Sequence, residues 1–214
     1  MAAPIGKVFD EYVRLGKNVC DVRVPDQVRN AINTYRPDAV INLAGVSHVE
    51  FVVEASHCGD WYDEIYTNLF GAYVVSKYAL EANPFCIVIQ IGSVAGKYGK
   101  PQHSGYCASK AGVISLVQSL GKEGYEAYAI SPGRVDTKMR EHDYPGEDKR
   151  TRLTPKDIAR VVLQITCGKY RPGDNLIIRK KGFRTLRRVD RGQPWQTYLN
   201  VRPLAPGETP IKDI

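Results

Sequence analysis

Ser93, Tyr106 and Lys110 lie within one short stretch, residues 91–112 (IGSVAGKYGKPQHSGYCASKAG), and their types suit acid–base chemistry. Tyr106 and Lys110 are four residues apart, so a helix places both on one face and sets the ammonium beneath the phenol. A phenol with a pKa near ~10 is a poor base at neutral pH, and a neighbouring cation favours its phenolate. Ser93 follows the apolar run at 85–92 (FCIVIQIG), which reads as a strand buried on both faces. Its hydroxyl then emerges at the strand's carboxyl end, where open α/β sheets hold ligands. A Tyr-x-x-x-Lys pair alone also arises by chance on exposed helix faces. Ser93 thirteen residues upstream, with Ala108, Ser109, Ala111 and Gly112 thinning one helix face, makes the set far more specific.

These residues resemble the serine, tyrosine and lysine of the short-chain dehydrogenase/reductase family. The resemblance implies that Ser93 orients a carbonyl, Tyr106 transfers the proton and Lys110 holds the nicotinamide ribose of NAD or NADP. Asn68 and Gly71 match the family's Asn-x-x-Gly, in which the asparagine bends its helix with a water and feeds protons toward the lysine. Asn42, Ala44 and Gly45 match the Asn-Asn-Ala-Gly strand end that lies against the cofactor, with Leu43 in place of the second asparagine. Pro132, Gly133 and Thr137 match the Pro-Gly-x-x-x-Thr segment that contacts the nicotinamide and its carboxamide.

The amino-terminal part departs from that pattern. Of the family's Gly-x-x-x-Gly-x-Gly turn only Gly6 remains, without the first strand and two glycines, so the backbone cradle for a pyrophosphate is mostly absent. Between Gly6 and Asn42 there is room for one strand and one helix where the family fits two strands and a helix. Asp21, fifteen residues after Gly6, reads either as the acidic residue on the adenosine ribose or as the aspartate near the adenine in the next strand.

Positioning these groups requires alternating strands and helices. A helix is expected over 5–16, a strand over 17–22, a helix over 26–36 that stops before Pro37, and a buried strand over 38–45. A long amphipathic helix spans 62–82, the strand at 85–92 and the helix at 106–120 follow, and another strand ends at Pro132-Gly133. Residues 138–152, polar and containing Pro145-Gly146, read as a mobile lid over the substrate cleft. Thr154 and Pro155 start a further helix, and residues 174–179 form the last strand of the sheet. The fold class is therefore α/β, a Rossmann-like doubly wound parallel sheet of about five to six strands lacking the usual first strand. The gap is expected to close by pairing of the strands at 17–22 and 39–43. The domain covers 1–180, and 181–214 forms an extension with a hairpin around Arg191-Gly192 and a Pro-rich tail.

The 214 residues, 43% hydrophobic and 25% charged, suit one well-buried domain. No run of eighteen apolar residues occurs and the first residues lack a secretion-signal core, so a cytoplasmic protein without a membrane span is expected. Five cysteines without a C-x-x-C pair suggest neither a disulfide framework nor a zinc site, so no metal is expected. The net charge of +7 is concentrated in residues 138–192, with 16 Lys/Arg against 7 Asp/Glu. Such a face is solvated or attracts phosphate-bearing substrates, an acidic partner or nucleic acid.

The resemblance implies an NAD(P)-dependent oxidoreductase reducing a carbonyl or oxidising an alcohol, acting as a homodimer or homotetramer on a small molecule. The abbreviated dinucleotide half supports an alternative, a catalytically altered relative serving as a scaffold or regulator.

Overall fold

Short apolar runs form four parallel strands: β1 (Ala39–Asn42), β2 (Ile87–Ile91), β3 (Ala127–Pro132) and β4 (Asn175–Lys181). In this computed structural model, which describes residues 11–53, 58–181, 184–190 and 199–200, each strand pairs in parallel with the next, in chain order. β3 is buried along its whole length, as a central strand covered on both faces must be. β5 (Arg184–Asp190) then runs antiparallel along β4, and β6 (Leu199–Asn200) pairs antiparallel with β5.

Alternation along the strands divides the core in two. Val88, Ala127 and Ala129 face one way and meet Val28 and Ile32 of α1 (Pro25–Tyr35), Val74, Val75 and Ala79 of α3 (Gly71–Ala82) and Val117 of α4 (Ser104–Lys122). Ile89, Tyr128 and Ile130 face the other way and meet Val161, Val162 and Ile165 of α6 (Pro155–Thr166). Helices on both faces make the sheet doubly wound, as expected.

Helix boundaries follow local chemistry. Pro25 sits in the first turn of α1, and the helix ends where Arg36, immediately before Pro37, turns into the left-handed region at φ 40°. Thr154 and Asp157 form a capping box ahead of α6, with Pro155 in its first turn. The helix expected over 62–82 starts earlier, as α2 (Gly59–Glu64), passes through a π-helical turn (Ile65–Phe70) and continues as α3.

Four expectations need correction. Residues 17–22 are not a strand. They fold into turns in which Val19 and Cys20 donate to the Gly16 carbonyl and Val24 to that of Asp21. The pairing with residues 39–43 is therefore absent, and among the described residues β1 is an edge strand. The reason is local: Asp21 binds the backbone and guanidinium of Arg23, and its own N–H donates to Gln27, so side chains take the groups that a strand would use. The helix expected over 5–16 lies partly outside the described residues, and its described part, 11–16, is irregular.

The sheet also does not end at 174–179, because β5 and β6 extend it antiparallel. These strands flank Arg191-Gly192, which itself lies outside the described residues. Residues 138–152, read as a lid, contain α5 (Lys138–Asp143) and a 3-10 turn (Lys149–Thr151), which enclose the fully buried guanidinium of Arg152. That group pairs with Asp136, Glu141 and Glu147.

Candidate active site

The carboxyl ends of β1, β2 and β3 converge, and the sequence places Gly45, Ser93 and Pro132-Gly133 just there. α4 crosses behind them. It comes close because Gly96 and Gly112 lack side chains: a Cβ on Gly96 would stand 2.7 Å from the Lys110 carbonyl, and one on Gly112 would stand 2.7 Å from Leu69. The thin helix face read from the sequence thus serves close packing.

Lys110 is 3% exposed, and its Nζ donates to the carbonyl oxygen of Ile91 at 2.9 Å, 5.7 Å from the centre of the Tyr106 ring. This is its one hydrogen bond among the described residues. Burial pulls its ammonium down to about 8. Ser93 caps the 3-10 turn Val94–Gly96 by accepting the Ala95 N–H at 3.1 Å. Burial pushes the Tyr106 phenol up, a hydrogen bond with Ser93 pulls it back, and the charges of Asp143 and Glu64 push it up again. The net direction is upward, opposite to the lowering expected beside Lys110, because desolvation in this pocket exceeds every other influence.

Asn68 stands in the π-helical turn, 2% exposed. Its Oδ1 accepts the Val46 N–H at 2.8 Å, and its Nδ2 donates to the Val46 carbonyl and to Ser109 Oγ, each at 3.0 Å. The amide thereby ties the loop after β1 to α4. Gly45 fits between Asn68 and Lys110; a Cβ there would be 3.3 Å from Asn68 Oδ1 and 3.4 Å from Lys110 Nζ.

Asn42 Nδ2 donates to Gln90 Oε1 at 2.9 Å, its Oδ1 accepts the Ala44 N–H at 3.1 Å, and Gln90 passes the chain on to Ser76 and the Ala72 carbonyl. This buried network fixes the ends of β1 and β2 relative to α3. Leu43, in place of the family's second asparagine, is 73% exposed. The Gly133 N–H donates to Ile178 at 2.7 Å, so Pro132-Gly133 closes β3 against β4. Thr137 caps α5 by accepting the Arg140 N–H at 3.2 Å.

Asp21 is not brought to this group. Arg23 binds both its oxygens, and this pairing holds its carboxyl down at about 2. Gly6 lies outside the described residues.

Sequence reasoning missed Glu64, Gln90, His103, Tyr144 and Arg152. His103, 5% exposed, has Nδ1 at 2.8 Å from the Pro101 carbonyl and Nε2 at 3.0 Å from the Tyr144 hydroxyl, so Nδ1 carries the proton and Tyr144 donates. Tyr144 stacks on His103 and under Arg140, which holds residues 138–152 against the wall of the site. A cleft of about 350 Å³ opens beside it, between residues 47–50, Asp60 and His142-Asp143. One signal for Glu64 was legible: an acidic residue four positions before Asn68, on the same helix face.

A family profile described as short chain dehydrogenase matches residues 11–148. The chain belongs to the short-chain dehydrogenase family. Among curated relatives of this family, the 3-oxoacyl-(acyl-carrier-protein) reductase of Thermotoga maritima is 31% identical over 179 residues, 74% of this chain and 69% of that protein. The Haemophilus influenzae reductase of the same name is 33% identical over 123 residues, 54% of this chain and 50% of that protein. Among solved structures, an actinorhodin polyketide ketoreductase with NADPH superimposes with a TM-score of 0.65 at 24% identity, covering 77% of this chain and 76% of that one, which shows a shared fold. The chain spans half the length of the Haemophilus relative it matches.

Proposed function

We propose that this short-chain dehydrogenase is a nicotinamide-dependent oxidoreductase that interconverts a carbonyl and an alcohol. The observation that carries the proposal is the buried Lys110 beneath the Tyr106 ring, with Ser93 at the end of the adjacent strand.

In this reading Tyr106 is the acid/base, Ser93 orients the substrate oxygen, and Lys110 holds a ribose hydroxyl and favours the phenolate. The upward displacement of the phenol suits donation of a proton to a nascent alkoxide, the direction of carbonyl reduction. Asn68 fixes the helix and loop on either side of Lys110. His103, Tyr144 and the wall formed by residues 138–152 exclude water from one side of the reacting oxygen.

The bound nicotinamide would supply or accept the hydride. The residues present fit its ribose end: Lys110 is a buried cation with one hydrogen bond among the described residues, facing the side-chain-free surface of Gly45. The other end is less provided for. The parallel strands succeed one another without a reversal of order, so the described sheet has no switch-point crevice, and Asp21 is occupied by Arg23. Support for NAD or NADP comes from the relatives, among them a ketoreductase solved with NADPH.

Self-association as a homodimer or homotetramer is part of the same proposal, supported by the exposed aromatic side chains Tyr62, Tyr66 and Tyr73 along α2, the π turn and α3. A concentration-independent monomer mass in light scattering would remove it.

Calorimetric titration with NADH and NADPH tests the reading directly, with micromolar affinity expected for one of them. Affinity in the millimolar range or weaker for both, or full turnover by Tyr106→Phe, would overturn it.

A further inference from the structure

α4, the helix that carries Tyr106, begins after His103 without a hydrogen bond from any capping side chain of its own. Such an end presents backbone N–H groups with no partner inside the helix, and a carboxylate matches both their donors and the helix dipole. Glu64, the last residue of α2 and 3% exposed, stands there. One carboxylate oxygen accepts the His48 N–H at 2.8 Å. The other faces Gly105, where any Cβ would collide with it, and the carboxylate also takes the backbone N–H of Tyr106. One turn later Asn68 repeats the arrangement, joining Val46 of the same loop to Ser109 of the same helix. Two buried side chains on one helix face therefore clamp the loop after β1 and the catalytic helix at successive turns.

We propose that Glu64 is a positioning residue for Tyr106, its carboxylate fixing the backbone that carries the phenol. The proposal rests on the oxidoreductase reading. Glu64 shares its surroundings with His48 of the loop after β1 and Asp60 of α2, while Asp143 of α5 also acts on Tyr106. Burial pushes the Glu64 carboxyl up, and the N–H groups of His48 and Tyr106 hold it back.

Two variants separate shape from charge. Glu64→Gln keeps the outline of the side chain and removes the charge. Glu64→Asp keeps the charge and withdraws the oxygens by one methylene. The Tyr106 ring is followed by NMR in full-length protein isotope-labelled at tyrosine Cζ, its resonance assigned by its loss in Tyr106→Phe. Turnover is followed as NADPH oxidation with acetoacetyl-CoA as the probe carbonyl, and thermal melts confirm that each variant folds. Glu64→Gln is expected to move the Tyr106 titration to lower pH. Glu64→Asp is expected to lower kcat about tenfold or more, with KM within about twofold, because the phenol is misplaced rather than the substrate lost.

An unmoved Tyr106 titration in Glu64→Gln, or undiminished kcat in Glu64→Asp, overturns the proposal. Wild-type protein that turns over no probe counts against the oxidoreductase reading instead, and the NMR titration then decides the coupling of Glu64 to Tyr106 by itself.

Discussion

Lys110 Nζ donates to the carbonyl oxygen of Ile91 at 2.9 Å, which ties α4 to the end of β2 by way of a buried ammonium. The pair joins the helix that carries Tyr106 to the strand that fixes its place, but burying a cation for one hydrogen bond among the described residues costs stability.

Lys110→Met is therefore expected to be more stable than the wild type near neutral pH. The folded-state pKa of about 8 lies below the ordinary 10.5, so the unfolded chain binds the extra proton between those values and wild-type stability rises with pH across that window. The gap corresponds to about 3 kcal/mol, of which about 1 kcal/mol is offset by leaving the Ile91 carbonyl without its donor. Thermal melts at pH 7 and near pH 10 check this: the advantage of the variant should be present at the first and largely gone at the second, while turnover is lost at both.

Gly71→Ala is expected to destabilise by about 1–3 kcal/mol, because a Cβ there would stand 2.5 Å from Val22 Cγ2 and 3.0 Å from Val22 Cβ. The gain in helix propensity, about 1 kcal/mol, is smaller than the cost of displacing a branched side chain packed against the core. Urea unfolding of Gly71→Ala, Val22→Ala and the double variant gives the coupling; a double variant more stable than Gly71→Ala alone is the expected result.

Asn68→Asp replaces the donor to the Val46 carbonyl and to Ser109 with an acceptor. About 2–4 kcal/mol of stability should be lost near neutral pH. A carboxylate in this site has its folded-state pKa raised above its unfolded value, so stability returns as the pH falls and the acid form regains a donor. Denaturant midpoints at pH 7 and pH 5 should differ in that sense for the variant relative to the wild type.

Arg152→Met removes the common partner of Asp136, Glu141 and Glu147. A marked fall in melting temperature is expected, with faster proteolysis within residues 138–152. Glu147, held below the usual carboxylate range first by Arg140 and then by Arg134 and Arg152, favours the folded state above its unfolded pKa and ceases to do so as the pH falls through its folded one. The penalty of Arg152→Met should accordingly shrink in acid, which melts over a descending pH series would reveal.

The parallel core was legible in the sequence wherever burial on both faces left uninterrupted apolar runs, as in β2 and β3, and wherever caps were local, as at Thr154 and Asp157. The strand expected at 17–22 failed because backbone groups there and just beyond were taken by the side chains of Asp21 and Gln27. Of Glu64 only its spacing from Asn68 was legible, and its role was not. Its partners are backbone N–H groups of His48 and Tyr106, remote in sequence, and backbone donors leave no trace in residue type. The same holds for Arg152, whose acidic partners look like ordinary surface charge until the chain closes around them.

The unbroken order of β1 to β4 bears on how the molecule comes to be built. Among the described residues each parallel strand meets only its immediate predecessor and successor, so every new pairing closes one helix-containing loop and none requires a later strand to wedge between two earlier ones. Loop closure of that kind carries a modest and repeated entropic cost in place of one large one. The sheet can therefore lengthen from one edge as successive strand and helix units are completed, with α4 docking on β2 and β3 before residues 138–152 have been added.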